Sequence, residues 1–110
     1  MREITCSTIT DAIKKMCIEA ATILPQDVEK ALSQKHDEED SALAQKTLQV
    51  LMDNAKLAQE KQMPICQDTG MAFVYVTMGQ EVHITGGSLN EAIQEGVRQG
   101  YTEVFKKISC

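Results

Sequence analysis

The chain has 110 residues, of which 43% are hydrophobic and 25% charged, a size and balance typical of one soluble domain. Its formal net charge is −5, and the lysines and arginines form no cluster, which argues against nucleic acid or anionic lipid as a partner. The N-terminus lacks the apolar stretch of a signal peptide, and the longest strongly apolar run, 72–76, is too short to span a bilayer. We therefore expect a cytoplasmic protein that does not bind a membrane.

Two amphipathic helices with a short one between them are predicted in the first part of the chain. The first runs from about Ser7 to Leu24, with Ser7 or Thr8 as N-cap and Thr8 with Asp11 as a capping box. A short helix follows Pro25 and gives way to a polar loop over 34–40 that contains a solvated histidine, His36. The third helix is capped by Ser41 and ends near Lys61.

The pattern after Met63 changes from helical to strand-like. Residues 72–78 are rich in β-branched and aromatic side chains, as in a strand buried inside a sheet. Gly79-Gln80 fits a hairpin turn, so a β-hairpin is predicted over about 71–85, with His83 on a strand as a cross-strand or solvent residue.

The last predicted helix spans about 88–108, where Ser88 and Glu91 form a capping box. Gly96 and Gly100 each cost about 1 kcal/mol relative to Ala in a helix, which indicates close approach of another backbone, here expected to be a sheet. The predicted fold is α+β and mostly helical, with three N-terminal helices, the hairpin and this C-terminal helix. Because the helix still runs at the last residues without a C-cap, we expect the chain to be truncated.

Four cysteines are present, Cys6, Cys17, Cys66 and Cys110, at spacings unlike a zinc or ferredoxin motif. Disulfides are disfavoured in the cytoplasm. Cys6 and Cys17 are interpreted as small buried apolar side chains.

Cys66 lies in a loop, Pro64–Gly70, that joins a helix to the predicted strand and places a thiol beside an amide, a carboxylate and a hydroxyl. Three interpretations remain open on the residues alone. Cys66 is a nucleophile that needs a base, for which only His36 and His83 offer an imidazole. Otherwise it is one ligand of a metal cluster whose other ligands lie elsewhere. In the third interpretation the loop is structural, with Asp68 and Thr69 capping a turn and Cys66 as a buried side chain that fills space. Gly70 allows a positive φ or a close backbone approach.

A family resemblance runs along essentially the whole chain and bears on this choice. The segments that carry it are Pro64–Gly70, Gly79–Val82, Gly86-Gly87 and Glu91–Tyr101, together with Met1–Ile4 and Ile9–Ala12 at the start. They resemble the first part of the α-subunit, or catalytic domain, of class I iron–sulfur fumarate hydratases, and L-tartrate dehydratase α-subunits are similar.

The resemblance implies a [4Fe–4S]-dependent hydro-lyase that interconverts malate and fumarate, with a C4 dicarboxylate as substrate. Cys66 matches the first of three cluster ligands. Gln67 and Asp68 match residues that contact the substrate, and Asp68 is expected to take part in proton transfer as a catalytic residue. Thr69 and Gly70 match positions that shape the loop.

The chain also departs from the family pattern. The other two cluster cysteines, the base and most carboxylate-binding cations of the family lie downstream, and Cys110 matches neither cysteine. A family Arg near the end of the last helix is replaced by Lys106 or Lys107, and lysine cannot reproduce the bidentate fork of arginine.

Residues 1–110 are therefore expected to be a single N-terminal segment of the catalytic subunit, inactive when isolated. The implied partner is a β-subunit or a C-terminal domain of the same enzyme, within a hetero- or homo-oligomer. The alternatives are the α-subunit of L-tartrate dehydratase and a non-catalytic helical interaction module that kept the fold without activity.

Overall fold

The structure is a computed structural model that describes residues 1–68 and 70–106. Over these ranges the elements in chain order are β1 (Arg2–Thr5), α1 (Cys6–Thr22), α2 (Gln26–Glu38), α3 (Ala42–Lys61), β2 (Val82–Thr85) and α4 (Leu89–Phe105). This mostly helical α+β composition was predicted. The chain forms two compact units, the middle unit, Ala20–Gln67, and the terminal unit, which joins Met1–Glu19 to the residues from Asp68 onward.

The sheet of the terminal unit is parallel and joins the two distant strands. Arg2 lies opposite Val82, and Thr5 lies opposite Thr85. The predicted hairpin is therefore wrong: residues 71–79 form no strand, and β2 pairs with the N-terminal residues. A turn is present one residue later than predicted, because the Val82 N–H donates to the Gly79 carbonyl at 3.2 Å and places Gln80 and Glu81 at the central positions. Turn signals report local geometry and cannot identify a parallel partner that lies far away in sequence.

The three predicted N-terminal helices are found, with a strand before them that was not predicted. The bounds of α3 agree with the prediction, whereas α1 begins and ends slightly earlier and α2 ends later than predicted. The Thr5 Oγ1 accepts the Thr8 N–H at 3.3 Å, so the cap of α1 is Thr5 and the predicted box of Thr8 with Asp11 is wrong. Helix α2 continues to Glu38 through most of the predicted loop. His36 accordingly lies on a helix and is half-buried, not solvated in a loop.

Hydrogen bonds between side chains explain why α2 continues. The Gln34 amide and the Lys35 ammonium donate to the Glu38 carboxylate, at 2.9 and 3.3 Å. These i,i+4 and i,i+3 pairs stabilise the last turn. The N-caps of α3 and α4 are as predicted, because the Ser41 and Ser88 side chains accept backbone N–H groups three residues on.

Helices α1 and α4 pack closely in the terminal unit. A Cβ atom added to Gly96 would lie 2.6 Å from the Ile13 Cβ, and one added to Gly100 would lie 2.8 Å from the Cys17 Cβ. The close backbone approach at both glycines is confirmed, but the packing partner is helix α1 and not the predicted sheet. Buried side chains beside this contact are Ile13, Ala92 and Val104.

Helix α4 ends at Phe105 with Lys106 as its C-cap, and the predicted end at residue 108 lies outside the described residues. In the middle unit α2 packs against α3, with Ala58 buried on α3. Thr22, at the last position of α1, is fully buried.

Candidate active-site loop

The loop begins where α3 ends in a left-handed turn. Gln62 has a φ of 53°, and the Met63 N–H donates to the Ala58 carbonyl at 2.9 Å. This 6→1 bond around a left-handed residue is the Schellman arrangement, which satisfies a carbonyl at the helix end and reverses the chain. It directs the chain through Met63 and Pro64 into the loop.

Both polar backbone groups of Ile65 are hydrogen-bonded within the middle unit. Its N–H donates to the Ala21 carbonyl at 2.9 Å, and its carbonyl accepts the Asn54 Nδ2–H at 2.6 Å. The residue directly before Cys66 is therefore held by the end of α1 and by a side chain of α3. Sequence reasoning missed Asn54; the available signal was an asparagine, a poor helix former, inside α3 and shortly before the loop.

Cys66 and Gln67 are the last residues of the middle unit, and both are exposed, so Cys66 is not the buried side chain of the structural interpretation. Cys66 is not in a disulfide. Of the two histidines weighed as an activating base, His36 has its Nδ1 3.1 Å from the Asp37 Oδ1, and His83 is exposed on β2. Neither observation places an imidazole beside Cys66 as an activating base, so the interpretation of Cys66 as a nucleophile gains no support.

Asp68 and Gly70 form a tight turn at the point where the chain re-enters the terminal unit. The Asp68 Oδ1 accepts the Gly70 N–H at 2.9 Å, which confirms that Asp68 caps a turn. Gly70 has a φ of 57°, as predicted, and an added Cβ would meet nothing within 4 Å. Glycine is therefore favoured at this position by its left-handed backbone conformation and not by a lack of space for a side chain. Thr69, the other predicted loop-shaping residue, lies outside the described residues.

The remaining described cysteines differ from Cys66 in their surroundings. Cys6 and Cys17 are half-buried, whereas Cys66 is exposed. The Cys6 Sγ–H donates to the Ser88 carbonyl at 3.7 Å. Burial raises the pKa of the Cys17 thiol, which disfavours the thiolate that a metal requires. In residues 1–68 and 70–106, no three His, Cys, Asp or Glu side chains come together as a metal site.

Three charged residues of α4 form ion pairs, one pair within the helix and one with α1. The Arg98 Nε donates to both carboxylate oxygens of Glu95, at 2.8 and 3.0 Å, and this hydrogen bonding lowers the pKa of Glu95. The Lys14 Nζ lies 3.0 Å from the Glu103 Oε2. Lys106, one of the two candidates for the family arginine, is exposed at the end of α4, and Lys107 lies outside the described part of the chain.

The sequence that forms the loop and most of these elements matches a known enzyme family. A family model described as fumarate hydratase (Fumerase) matches residues 10–109. The match covers the Cys66 loop and all four helices at least in large part. The chain belongs to this family.

Curated relatives carry a related name. The chain is 36% identical over 97 residues to the putative L(+)-tartrate dehydratase subunit alpha of Methanocaldococcus jannaschii, an alignment covering 87% of this chain and 34% of the relative. It is 26% identical over 109 residues to the L(+)-tartrate dehydratase subunit alpha of Escherichia coli K12, covering 92% and 36% respectively. The chain thus spans about a third of the length of these relatives. None of the helices in the described ranges is long and apolar enough to cross a membrane.

Proposed function

We propose that these residues form a segment of a hydro-lyase catalytic subunit that reversibly hydrates fumarate to malate. The observation that supports the proposal most directly is the exposed thiol of Cys66, on a loop that lies within the part of the chain matched by the family model. Membership of the fumarate hydratase family and an α-subunit name among the relatives support it. In this proposal residues 1–110 are one segment of a larger enzyme.

Cys66 would be one of the three thiolate ligands of a [4Fe–4S] cluster. The donor fits, because its side chain is exposed and not in a disulfide, and the loop backbone before it is fixed by hydrogen bonds. A cluster iron that lacks a protein thiolate would supply Lewis acidity toward the substrate hydroxyl and carboxylate. The other two thiolates would come from outside the described residues, and the 110-residue chain alone should not hold a cluster.

Gln67 and Asp68 would contact the dicarboxylate substrate. The Gln67 side chain is exposed and offers an amide that donates to a carboxylate or hydroxyl oxygen. Asp68 has one carboxylate oxygen on the Gly70 N–H, which fixes the orientation of the carboxylate plane. An oriented carboxylate of this kind can accept or return a proton as the substrate gains or loses water.

The second candidate reaction is the dehydration of L(+)-tartrate, and the names of the curated relatives favour it. Malate and tartrate differ by one hydroxyl group on the same four-carbon dicarboxylate skeleton. Specificity would therefore depend on one further polar contact, whose loss or gain changes rates strongly because a buried polar group is left unpaired. A β-subunit, or a second domain of the same polypeptide, would complete the enzyme.

Steady-state assays of the complete enzyme with malate, fumarate and L(+)-tartrate test the proposal. We expect the wild-type enzyme to turn over a C4 hydroxy-dicarboxylate and Asp68→Asn to lower kcat by about 10²-fold or more, since general acid–base groups contribute about 10²–10⁴-fold. Asp53→Asn, an exposed carboxylate on α3, is the matched control and should keep the wild-type rate. Failure to turn over any of the three compounds would favour the non-catalytic interaction module.

A further inference from the structure

Asn54 makes a contact that the sequence did not reveal and that the proposed reaction does not use directly. Its Nδ2–H donates at 2.6 Å to the Ile65 carbonyl, eleven residues further along the chain. Asn54 lies on α3, and Ile65 lies in the loop after it, so the bond joins a regular element to an irregular one within the middle unit. Asn54 is exposed and is not required to fill the core.

The carbonyl that Asn54 holds belongs to the peptide group that also contains the Cys66 nitrogen. Because this peptide group is planar, fixing the carbonyl fixes the direction in which the chain enters Cys66. The preceding peptide group is held as well, since the Ile65 N–H donates to the Ala21 carbonyl at 2.9 Å. Two consecutive peptide planes are thus oriented, and the remaining freedom of the thiol lies in the torsion angles of Cys66 itself.

We propose that Asn54 is a positioning residue for Cys66 as a cluster ligand, an inference that rests on the function proposed above. Ligands must be held to within about 0.5 Å of the productive geometry, and a thiol on an exposed loop needs such support from a rigid element. Asn54 provides this support from the penultimate turn of α3, and it would act on Cys66 through the Ile65 carbonyl.

The variants are chosen to remove the Asn54 bond with little change of shape. Asn54→Asp keeps the side-chain volume but replaces the donor by a carboxylate, which repels the Ile65 carbonyl. Asn54→Leu removes the donor without adding charge. The matched control is Gln45→Glu, because the Gln45 Nε2–H makes the same type of bond from the same helix, to the His36 carbonyl at 3.1 Å, away from the loop.

The first measurement is amide hydrogen exchange at Ile65 in the cluster-free 110-residue chain. Both Asn54 variants should exchange the Ile65 amide about fivefold faster, the factor that corresponds to a net hydrogen bond of about 1 kcal/mol. Gln45→Glu should leave that rate unchanged. Unchanged exchange at Ile65 in the Asn54 variants, or an equal increase in Gln45→Glu, would overturn the inference.

The second measurement is the lifetime of the cluster in the complete enzyme during challenge with an iron chelator, followed by visible absorbance. We expect a lifetime about tenfold shorter in both Asn54 variants. Loss of a residue that holds a metal ligand in place typically lowers metal affinity by about 10- to 100-fold, and this expectation takes the lower value. Gln45→Glu should keep the wild-type lifetime. An unchanged lifetime in the Asn54 variants rejects the positioning role, whereas a cluster that survives Cys66→Ser rejects the proposed function and leaves the Ile65 exchange result standing.

Discussion

At the scale of single residues, the loop between α3 and the terminal unit is determined by a few backbone requirements. Gln62 and Gly70 both adopt the left-handed region, with φ of 53° and 57°. The sequence predicted the conformation of Gly70 because glycine is the usual residue there. It could not predict Gln62, since a glutamine gives no such signal and the tertiary structure imposes the turn.

Substituting Gly70 by alanine should destabilise the folded loop. A left-handed backbone costs an L-residue about 1–2 kcal/mol, and no neighbouring atom lies close enough to an added Cβ to compensate by contact. Gly79→Ala is the control, because Gly79 lacks a positive φ and its added Cβ would lie 3.9 Å from the nearest atom, Val82 Cγ2. Denaturant unfolding should give a lower free energy of unfolding for Gly70→Ala than for Gly79→Ala; the reverse order would contradict the φ assignment.

At the scale of elements, the sequence predicted helices better than strands. Helices α3 and α4 follow from their serine caps and from the 3.6-residue period of their apolar positions, all of which are local. The strand β1 was not predicted, because four residues without a turn signal are recognisable only through their partner. That partner, β2, lies about 80 residues away, and the pairing is parallel.

Because α4 packs closely against α1, replacing a glycine of α4 by alanine should lower the stability of the fold, the opposite of the usual effect in a helix. In an exposed helix, Gly→Ala stabilises by about 1 kcal/mol. At Gly96 the added Cβ would lie 2.7 Å from the Thr10 carbonyl oxygen, so the helices must separate, and overpacking costs about 1–3 kcal/mol. Thermal unfolding should therefore give a lower Tm for Gly96→Ala.

The control for that substitution is Gln94→Ala on the exposed face of the same helix, which should leave the Tm almost unchanged. If Gly96→Ala instead raised the Tm, α4 would not pack against α1 as the structure describes.

The ion pair on α4 gives a pH-dependent prediction. The Arg98 hydrogen bond lowers the pKa of Glu95, so this interaction contributes stability above the ordinary glutamate pKa and loses it as the pH falls through the lowered value. Arg98→Gln should move the Glu95 carboxylate titration to higher pH in a ¹³C NMR experiment. A midpoint that does not move would show that the pair is absent in solution, and added salt should weaken the wild-type shift.

At the scale of the whole molecule, the terminal unit exposes a continuous, mostly apolar segment, 71–78. Phe73 and Tyr75 are 72% and 92% exposed, and Met71, Val76 and Met78 are more than half exposed as well. The end of the segment lines an apolar cavity of about 200 Å³ together with side chains of β1, β2, α1 and α4. The prediction of a buried strand over 72–78 is wrong, because strand formation requires a hydrogen-bonding neighbour as well as a suitable composition, and the described residues provide none for 71–79.

An exposed apolar segment of this kind should drive self-association of the 110-residue chain. The double substitution Phe73→Ser with Tyr75→Ser removes the two most exposed aromatic rings and should lower the apparent mass measured by sedimentation at high protein concentration. Gln80→Ser, an exposed polar position after the same segment, is the control and should associate like the wild type. Equal association of all three proteins would exclude the segment as the contact surface.

The proposed function requires Cys66 to be a cluster ligand in the complete enzyme. The most direct measurement is the iron and acid-labile sulfide content, with the electron paramagnetic resonance spectrum, of anaerobically purified wild type, Cys66→Ser and Cys17→Ser. Cys17 is half-buried on α1 with a raised thiol pKa, so its replacement should leave the cluster intact. We expect loss of the [4Fe–4S] cluster in Cys66→Ser alone; a full cluster in Cys66→Ser would contradict the proposed role of Cys66.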